Sequence, residues 1–402
     1  MENKNEWRKV KLEDIVKIKG GKRLPKEVTL QKNKNKHPYI RIKDMISLKK
    51  LEINSSFEYV PDYVFEKIKN YIVNENDIIL SIVGTIGLVN KIGNSLNGAN
   101  LTENCVKITT KENVEYDYLY YFLISQKGKI EIEKGIVGAV QPKLPIKNIE
   151  NIEVKLPSLN IQKKIVKILS DIDNKIELNN KINDNLEKLI FLIYQNIFSN
   201  SIIKKECKMN EYFDISIGKT PPRKNQEYFS NNSNNNLWVS ILDMKSSGIY
   251  INKSSEYLTD EAIKKCNIKI IPKNTLLLSF KLTIGRIAIT YLDKTTTNEA
   301  IAHFLTDKKG ATEYLYCYLK KFNFNTLGST SSIATAVNSK IIKEMPFIIP
   351  QEKDLENFYN LVKPLFENIK NNQIESEKLT NLKDYLLPKL MNGEIDVENI
   401  EL

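Results

Sequence analysis

Apolar residues recur along this chain with two different periods, and the two periods alternate twice. Short runs rich in β-branched residues, alternating or wholly apolar, fill residues 1–157 and again 201–350. They read as strands with helices between them. After each region the spacing lengthens to a 3-4 repeat. The first such seam runs Ile165, Leu169, Ile172, Ile176, Asn179, Asn183, Leu186, Ile190, Ile193 and Ile197. The second runs Phe358, Val362, Leu365, Ile369, Asn372, Ser376, Leu379 and Leu386. This is the period of paired helices. Each seam follows a proline, Pro157 or Pro350, and an offset of 193 carries the first onto the second. Such register marks a tandem duplication. The pattern predicts a globular region over 1–157, a long helix over 158–200, a second globular region over 201–350, and a second long helix with a tail over 351–402.

A helix of about 37 residues spans roughly 55 Å, too long to bury on one small core. The two helices are therefore expected to pair as an antiparallel coiled coil, with a globular region at each end and pseudo-two-fold symmetry. Both seams turn polar at their middles, at Asn179 and Asn183 and at Asn372 and Ser376. Antiparallel pairing would set polar against polar and fix register. The competing reading is a pair of frayed, solvent-facing turns.

The globular regions repeat more loosely. Ile15–Lys22 corresponds to Phe213–Lys219, Tyr39–Met45 to Trp238–Met244, and Asp77–Ser81 to Thr275–Ser279. Thr85-Ile86-Gly87 corresponds to Thr283-Ile284-Gly285, and Ala139-Val140-Gln141 to Ala336-Val337-Asn338. The order holds while the offset drifts, as in related folds with different loops. Each region reads as α+β with a mixed, curved sheet. Tyr118, Tyr120, Tyr121, Tyr314, Tyr316 and Tyr318 have helical spacing in both halves, which favours core over base-stacking platforms.

Charge adds a preference about partners. The net charge is +11, divided as +7 over 1–161, +1 over 162–198, +8 over 199–350 and −5 over 351–402. A basic excess on the globular regions suits a polyanion such as DNA, though a generally lysine-rich surface would look the same. Four scattered cysteines, without a Cys-x-x-Cys pair, read as free thiols in a reducing compartment. With only His37 and His303, zinc sites and histidine triads are disfavoured. The polar N-terminus and the lack of a long apolar run point to the cytoplasm. Catalytic motifs are missing. Thr220-Pro221-Pro222-Arg223 lacks the amide or acid and the aromatic of a methyltransferase motif, and neither a Gly-x-Gly loop nor a phosphate-binding Gly-x-x-x-x-Gly-Lys loop occurs.

The order of globular region, long helix, globular region, long helix resembles the specificity (S) subunit of Type I restriction-modification systems. The matching details are Gly21-Lys22 and Gly218-Lys219, the two Thr-Ile-Gly turns, the Leu156–Ile165 and Leu169–Ile176 runs, and the terminal Leu386–Ile395. The second helix departs from the pattern at Leu355, where the first has Gln162. The resemblance implies two target recognition domains, each reading half of a bipartite, asymmetric site in double-stranded DNA. It also implies helices that dock two modification (methyltransferase) subunits, with restriction subunits joining through those. The chain itself would be non-catalytic, with S-adenosylmethionine, ATP and Mg on its partners and no cofactor or metal of its own. The alternative is a stand-alone S-like protein that redirects or antagonises another such complex.

On that reading the DNA contacts fall on basic and amide side chains of loops. They are Lys22, Arg23, Lys26, Arg41, Lys43, Gln141 and Lys143 in the first half. In the second they are Lys219, Arg223, Lys224, Lys281, Arg286, Ser331, Ser332 and Asn338. Lysines would mostly neutralise phosphate. Arg23, Arg41, Gln141, Arg223 and Arg286 are the stronger candidates for base edges, where Arg and Gln bind in a bidentate manner.

Overall fold

The computed structural model describes residues 7–45, 49–199, 205–327, 337–398 and 400. The chain forms two compact units, Met1–Ile176 with Lys378–Leu402, and Glu177–Glu377. The division falls inside both long helices, Leu159–Phe198 and Glu352–Asn392, so each unit takes part of each helix.

The two units repeat one topology. The first has a five-stranded sheet in the order Val16–Gly20, Cys105–Thr110, Ile78–Ser81, Val89–Ile92, Lys50–Leu51. The second has Asp214–Ile217, Ile301–Leu305, Leu276–Ser279, Ile287–Thr290, Tyr250–Ile251. In both sheets every pairing is antiparallel except the last, which is parallel. The central strands Ile78–Ser81 and Leu276–Ser279 are buried at every position, which is why each shows three consecutive apolar residues before its closing serine. A smaller mixed sheet accompanies each. In the first unit it is Glu58–Tyr59, Pro38–Ile40, Asn100–Leu101. In the second it is Phe229–Ser230, Glu256–Leu258, Asn236–Val239, Thr295–Thr297, with one more edge strand. The strands that end at Pro157 and Pro350 pair with the first strand of their own unit, Arg8–Lys11 with Glu153–Leu156 and Lys205–Lys208 with Pro346–Ile349. The mixed α+β expectation holds.

The tyrosine helices face the cores. Tyr118, Tyr120, Tyr121, Tyr314 and Tyr316 are buried and Tyr318 is half-buried. Tyr118 donates to the Lys155 carbonyl at 2.6 Å and Tyr314 to the Ile348 carbonyl at 2.9 Å, the same bond between equivalent elements of the two units. Each phenol thereby satisfies its one polar group inside an apolar layer.

Within the first unit, Ile165 and Leu169 pack with Leu387, Leu390 and Met391 against the sheet and the tyrosine helix. Within the second, Ile190 packs with Phe358, Val362, Phe366 and Ile369. In each unit the partner numbers fall as those of the first helix rise, so the helices pair antiparallel. Lys164 bonds the Glu398 carbonyl and Asp173 bonds Lys383, while Asn179 bonds Glu375 and Tyr194 and Phe198 contact Phe358. Of the seam residues, Ile165, Leu169, Ile172, Asn179, Ile190, Phe358, Val362 and Ile369 are buried. Ile176, Asn183, Leu186, Ile193, Ile197, Leu365, Asn372, Ser376, Leu379 and Leu386 are half-buried. Phe366, 2% exposed, takes the place that a strict repeat gives to Leu365. A straight helix of 3.6 residues per turn drifts against a 3.5 repeat in this way.

The polar middle lies in the second unit and is not frayed. Asn179 is fully buried and its Nδ2 donates to Glu375 Oε2 at 2.7 Å and Ser376 Oγ at 3.3 Å. Asn372 Nδ2 donates to Asn183 Oδ1 at 2.9 Å. The departure at position 355 also has a packing reason. Gln162 is buried, accepts from the Glu115 amide at 2.9 Å and donates to the Pro157 carbonyl at 2.9 Å. Leu355 instead joins the apolar core of its unit.

A partly buried ionic network ties the first unit's sheet to its helices. Asp117 accepts from Lys49 at 3.0 Å and Lys91 at 2.7 Å. Tyr121 donates to Asp173 at 2.7 Å, and Lys383 donates to the other Asp173 oxygen at 2.7 Å. Burial alone would raise the Asp117 carboxyl, but Lys49 and Lys91 outweigh it and hold it below its ordinary value. A depressed carboxyl stabilises the fold above its unfolded pKa, near ~3.9, and that contribution is lost as pH falls through the lower folded value. Lys91→Met is therefore expected to destabilise by about 1–3 kcal/mol at pH 7. In urea titrations the gap from wild type should narrow below about pH 4. A gap that stays constant into acid would show that Asp117 is not the partner that matters.

Candidate nucleic-acid interface

The loops predicted to carry the contacts are drawn together in the first unit by one short segment, Leu101–Asn104. Lys22 donates its amide to the Leu101 carbonyl at 2.8 Å, and the Ile82 amide donates to the Asn104 carbonyl at 2.8 Å. The backbone at Gly21 runs so close that a Cβ there would lie 2.0 Å from the Thr102 carbonyl oxygen. In the second unit the corresponding Cβ at Gly218 would lie 2.2 Å from the Asn298 carbonyl oxygen. This close approach is the physical content of the repeated Gly-Lys pair. Tyr39 Oη bonds the Lys22 carbonyl at 2.8 Å, and Trp238 Nε1 bonds the Lys219 carbonyl at 3.4 Å.

Arg23, Arg41 and Lys43 line one cleft of about 410 Å³ with Tyr39, Thr102, Glu103 and Asn104. Arg23 is exposed and its Nε meets Glu103 at 2.5 Å. Arg41 is half-buried between Asp44, at 3.2 Å, and Glu58, which also receives Lys43 at 3.2 Å. Hydrogen bonds from Arg41 and Lys43 hold the Glu58 carboxyl below the usual range. Burial would raise the Glu103 carboxyl, and the bond from Arg23 lowers it instead. The strand ends at Ile40 because Asp44 turns back to accept the Arg41 amide at 2.9 Å, as Asp243 accepts the Ser240 amide at 2.8 Å. Gln141 and Lys143 are exposed on a loop clamped to the Thr-Ile-Gly turn by the Val83–Lys143 bridge. A Cβ at Gly84 would lie 3.4 Å from Ile42, which brings that turn beside the cleft. Lys22 and Lys26 are exposed.

The second unit keeps the carboxylates and changes what they hold. Glu256, at the place of Glu58, takes both guanidinium nitrogens of Arg223 at 2.7 and 2.9 Å. Glu299, at the place of Glu103, bonds Thr220. Arg223 lies over Phe229 at 4.3 Å and Trp238 at 4.7 Å, a stacked and stiffened geometry. Arg286 reaches the Ile241 carbonyl at 2.5 Å, while Lys219 Nζ is drawn to the Cys266 carbonyl at 2.6 Å. Lys224 and Lys281 are exposed. Asn338 is also exposed and caps the Ser339–Lys343 helix through the Ile341 amide at 3.0 Å. Ser331 and Ser332 lie outside the described residues.

Three features escaped the sequence reading. Glu58, Glu103, Glu256 and Glu299 hold the cleft side chains; their recurrence at the repeat offsets was the available signal. Val140 and Leu282 stand 96% and 100% exposed at loop tips. Leu178, Ile182, Leu189 and Leu192 form an exposed apolar stripe on the first long helix, beside the seam rather than in it.

His303, 1% exposed between Ser216 and Thr297, has its pKa pushed down to about 3 by burial, which makes it a neutral core residue. Among the described residues no cluster suited to a metal ion occurs, and no helix is long and apolar enough to cross a membrane.

Residues 4–188 and 203–378 each match the family model described as the Type I restriction modification DNA specificity domain. The Type I restriction enzyme MjaIX specificity subunit of Methanocaldococcus jannaschii is 26% identical, covering 98% of this chain and 95% of that protein. The HindI specificity subunit of Haemophilus influenzae is 22% identical over 69% of this chain and 77% of that one. The crystal structure of a Type I restriction-modification S subunit from M. genitalium shares the fold, with a TM-score of 0.57 at 16% identity and 97% of each chain covered. The chain belongs to the family of Type I restriction-modification specificity subunits, which recognise DNA and are not themselves catalytic.

Proposed function

We propose that each unit reads one half of a bipartite, asymmetric DNA target, and that the long helices dock two modification subunits through which restriction subunits join. The observation that carries this reading is the repeated loop scaffold with exchanged side chains. Arg41 is replaced by Ser240, Arg23 by Thr220 and Gly84 by Leu282, around carboxylates that stay in place. One scaffold with two side-chain sets suits two different half-sites. Phosphate contact falls to the exposed lysines Lys22, Lys26, Lys43, Lys143, Lys224 and Lys281. Base contact falls to Arg23, Gln141, Arg223 and Arg286, with Arg41 as a stiff member of the cleft wall. The stripe Leu178, Ile182, Leu189 and Leu192 is the docking face for helices of a modification subunit. Methyl transfer with S-adenosylmethionine, and the ATP- and Mg-dependent steps, then belong to those partners.

Methylome sequencing of a host expressing the chain with its modification subunit is expected to return a bipartite, non-palindromic methylated motif. A continuous palindrome would contradict the reading. Lys22→Ala should weaken binding to all duplexes and lower the slope of log affinity against log salt by about one. Arg223→Ala should instead cost about 1–3 kcal/mol at one base pair of the second half-site. Competition titrations across salt and sequence separate the two behaviours. Leu189→Asp with Leu192→Asp should change stability by no more than about 0.5 kcal/mol per site, because both positions are exposed. The same pair should reduce co-purification with the modification subunit at least about tenfold. Unchanged co-purification would place the docking face elsewhere.

A further inference from the structure

We propose that Leu282 reads a thymine of the second half-site by packing against its C5-methyl group in the major groove. The proposal rests on the DNA-reading function above and names one residue of that function.

The Thr-Ile-Gly turn has the same construction in both units. Ser81 Oγ donates to the Thr85 carbonyl at 2.6 Å, and Ser279 Oγ donates to the Thr283 carbonyl at 2.6 Å. The Ser81 hydroxyl accepts the Leu88 amide at 2.9 Å, and the Ser279 hydroxyl accepts the Arg286 amide at 3.0 Å. The third glycine-side position is left-handed in each, with φ of 91° at Gly87 and 89° at Gly285. The tip is left-handed too. In the first unit it is Gly84, at φ 78°, and in the second it is Leu282, at φ 59°.

A leucine at that tip carries two costs. The left-handed backbone crowds its Cβ, and its side chain, 100% exposed, stands wholly in water. A fully exposed side chain returns nothing to its own fold, and glycine would serve the turn, as Gly84 does. The residue gains only when an apolar group of another molecule covers it.

The surroundings say which. Lys281 beside it is exposed, and Arg286 lies at the other end of the turn. Cationic neighbours suit a phosphate-bearing partner. On a stacked duplex the apolar group presented at a base edge is the thymine methyl. The faces of the bases are apolar as well, but reaching them means unstacking a step. That costs more than one leucine returns, and Ile284, the other apolar residue in the turn, is half-buried. The stiff turn therefore favours contact over insertion.

The test uses the full chain in complex with its modification subunit, on duplexes carrying its own methylated motif. Each thymine of the second half-site is replaced in turn by uracil, which lacks only the methyl group. Methylation by the wild-type complex should fall roughly three- to tenfold at one of these positions. Leu282→Gly should show a loss of the same size on the thymine duplex, no further loss on the uracil duplex, and a thermal midpoint equal to or above wild type. A structural role for Leu282 would lower the midpoint instead. The proposal is overturned by a second half-site without thymine, by wild-type indifference to every uracil, or by a variant that keeps the discrimination. It is also overturned if Leu282→Gly fails to assemble with the modification subunit, since the tip would then be a protein contact. If the wild-type complex methylates no bipartite motif, the DNA-reading function itself fails, and this proposal with it.

Discussion

The fold depends on the register of two long helices, and a buried amide sets that register. Apolar seams alone would tolerate a slip of one turn, because one isoleucine or leucine replaces another at small cost. Asn179 does not tolerate it. Fully buried, it has Glu375 and Ser376 as its hydrogen-bond partners, while Asn372 meets Asn183 beside it. A slipped pairing would set the Asn179 amide against an apolar side chain at about 1–3 kcal/mol for the lost partners. Since each unit draws its core from part of each helix, the same register decides which side chains complete both cores.

Around these cores the duplication has been kept where geometry requires it and released where chemistry acts. The Tyr118 and Tyr314 bonds, the turns at Asp44 and Asp243, and the close backbone approaches at Gly21 and Gly218 recur with little change. The side chains mounted on them do not recur. Glu103 holds an arginine while Glu299 holds a threonine, and Glu58 gathers Arg41 and Lys43 while Glu256 clasps Arg223. On the proposed function, a common scaffold with separate contact sets would let one unit change what it reads without disturbing the other.

Much of this was legible in the sequence, for physical reasons. Helix pairing and the polar middle follow from a seam period that only side-by-side helices satisfy. The two-unit repeat follows from elements whose burial forbids insertion. What could not be read was which loops meet. Arg41 looked like a free reader, but pairing with Asp44 and Glu58 sets it in the cleft wall, and nothing local announces a carboxylate seventeen positions away. The stripe at Leu178, Ile182, Leu189 and Leu192 was hidden because a helix with two apolar faces looks like one broad seam. Leu282 was visible as a leucine opposite Gly84, but its exposure and left-handed backbone were not.

The central claim is that two equivalent scaffolds read independently. The direct measurement is the methylated motif of a chimaera in which Lys205–Ile349 is replaced by a second copy of Arg8–Leu156, the equivalent stretch of the first unit. Expressed with the modification subunit, it should methylate a motif built from the first half-site twice, with the second half-site gone. Persistence of the original second half-site would contradict the account.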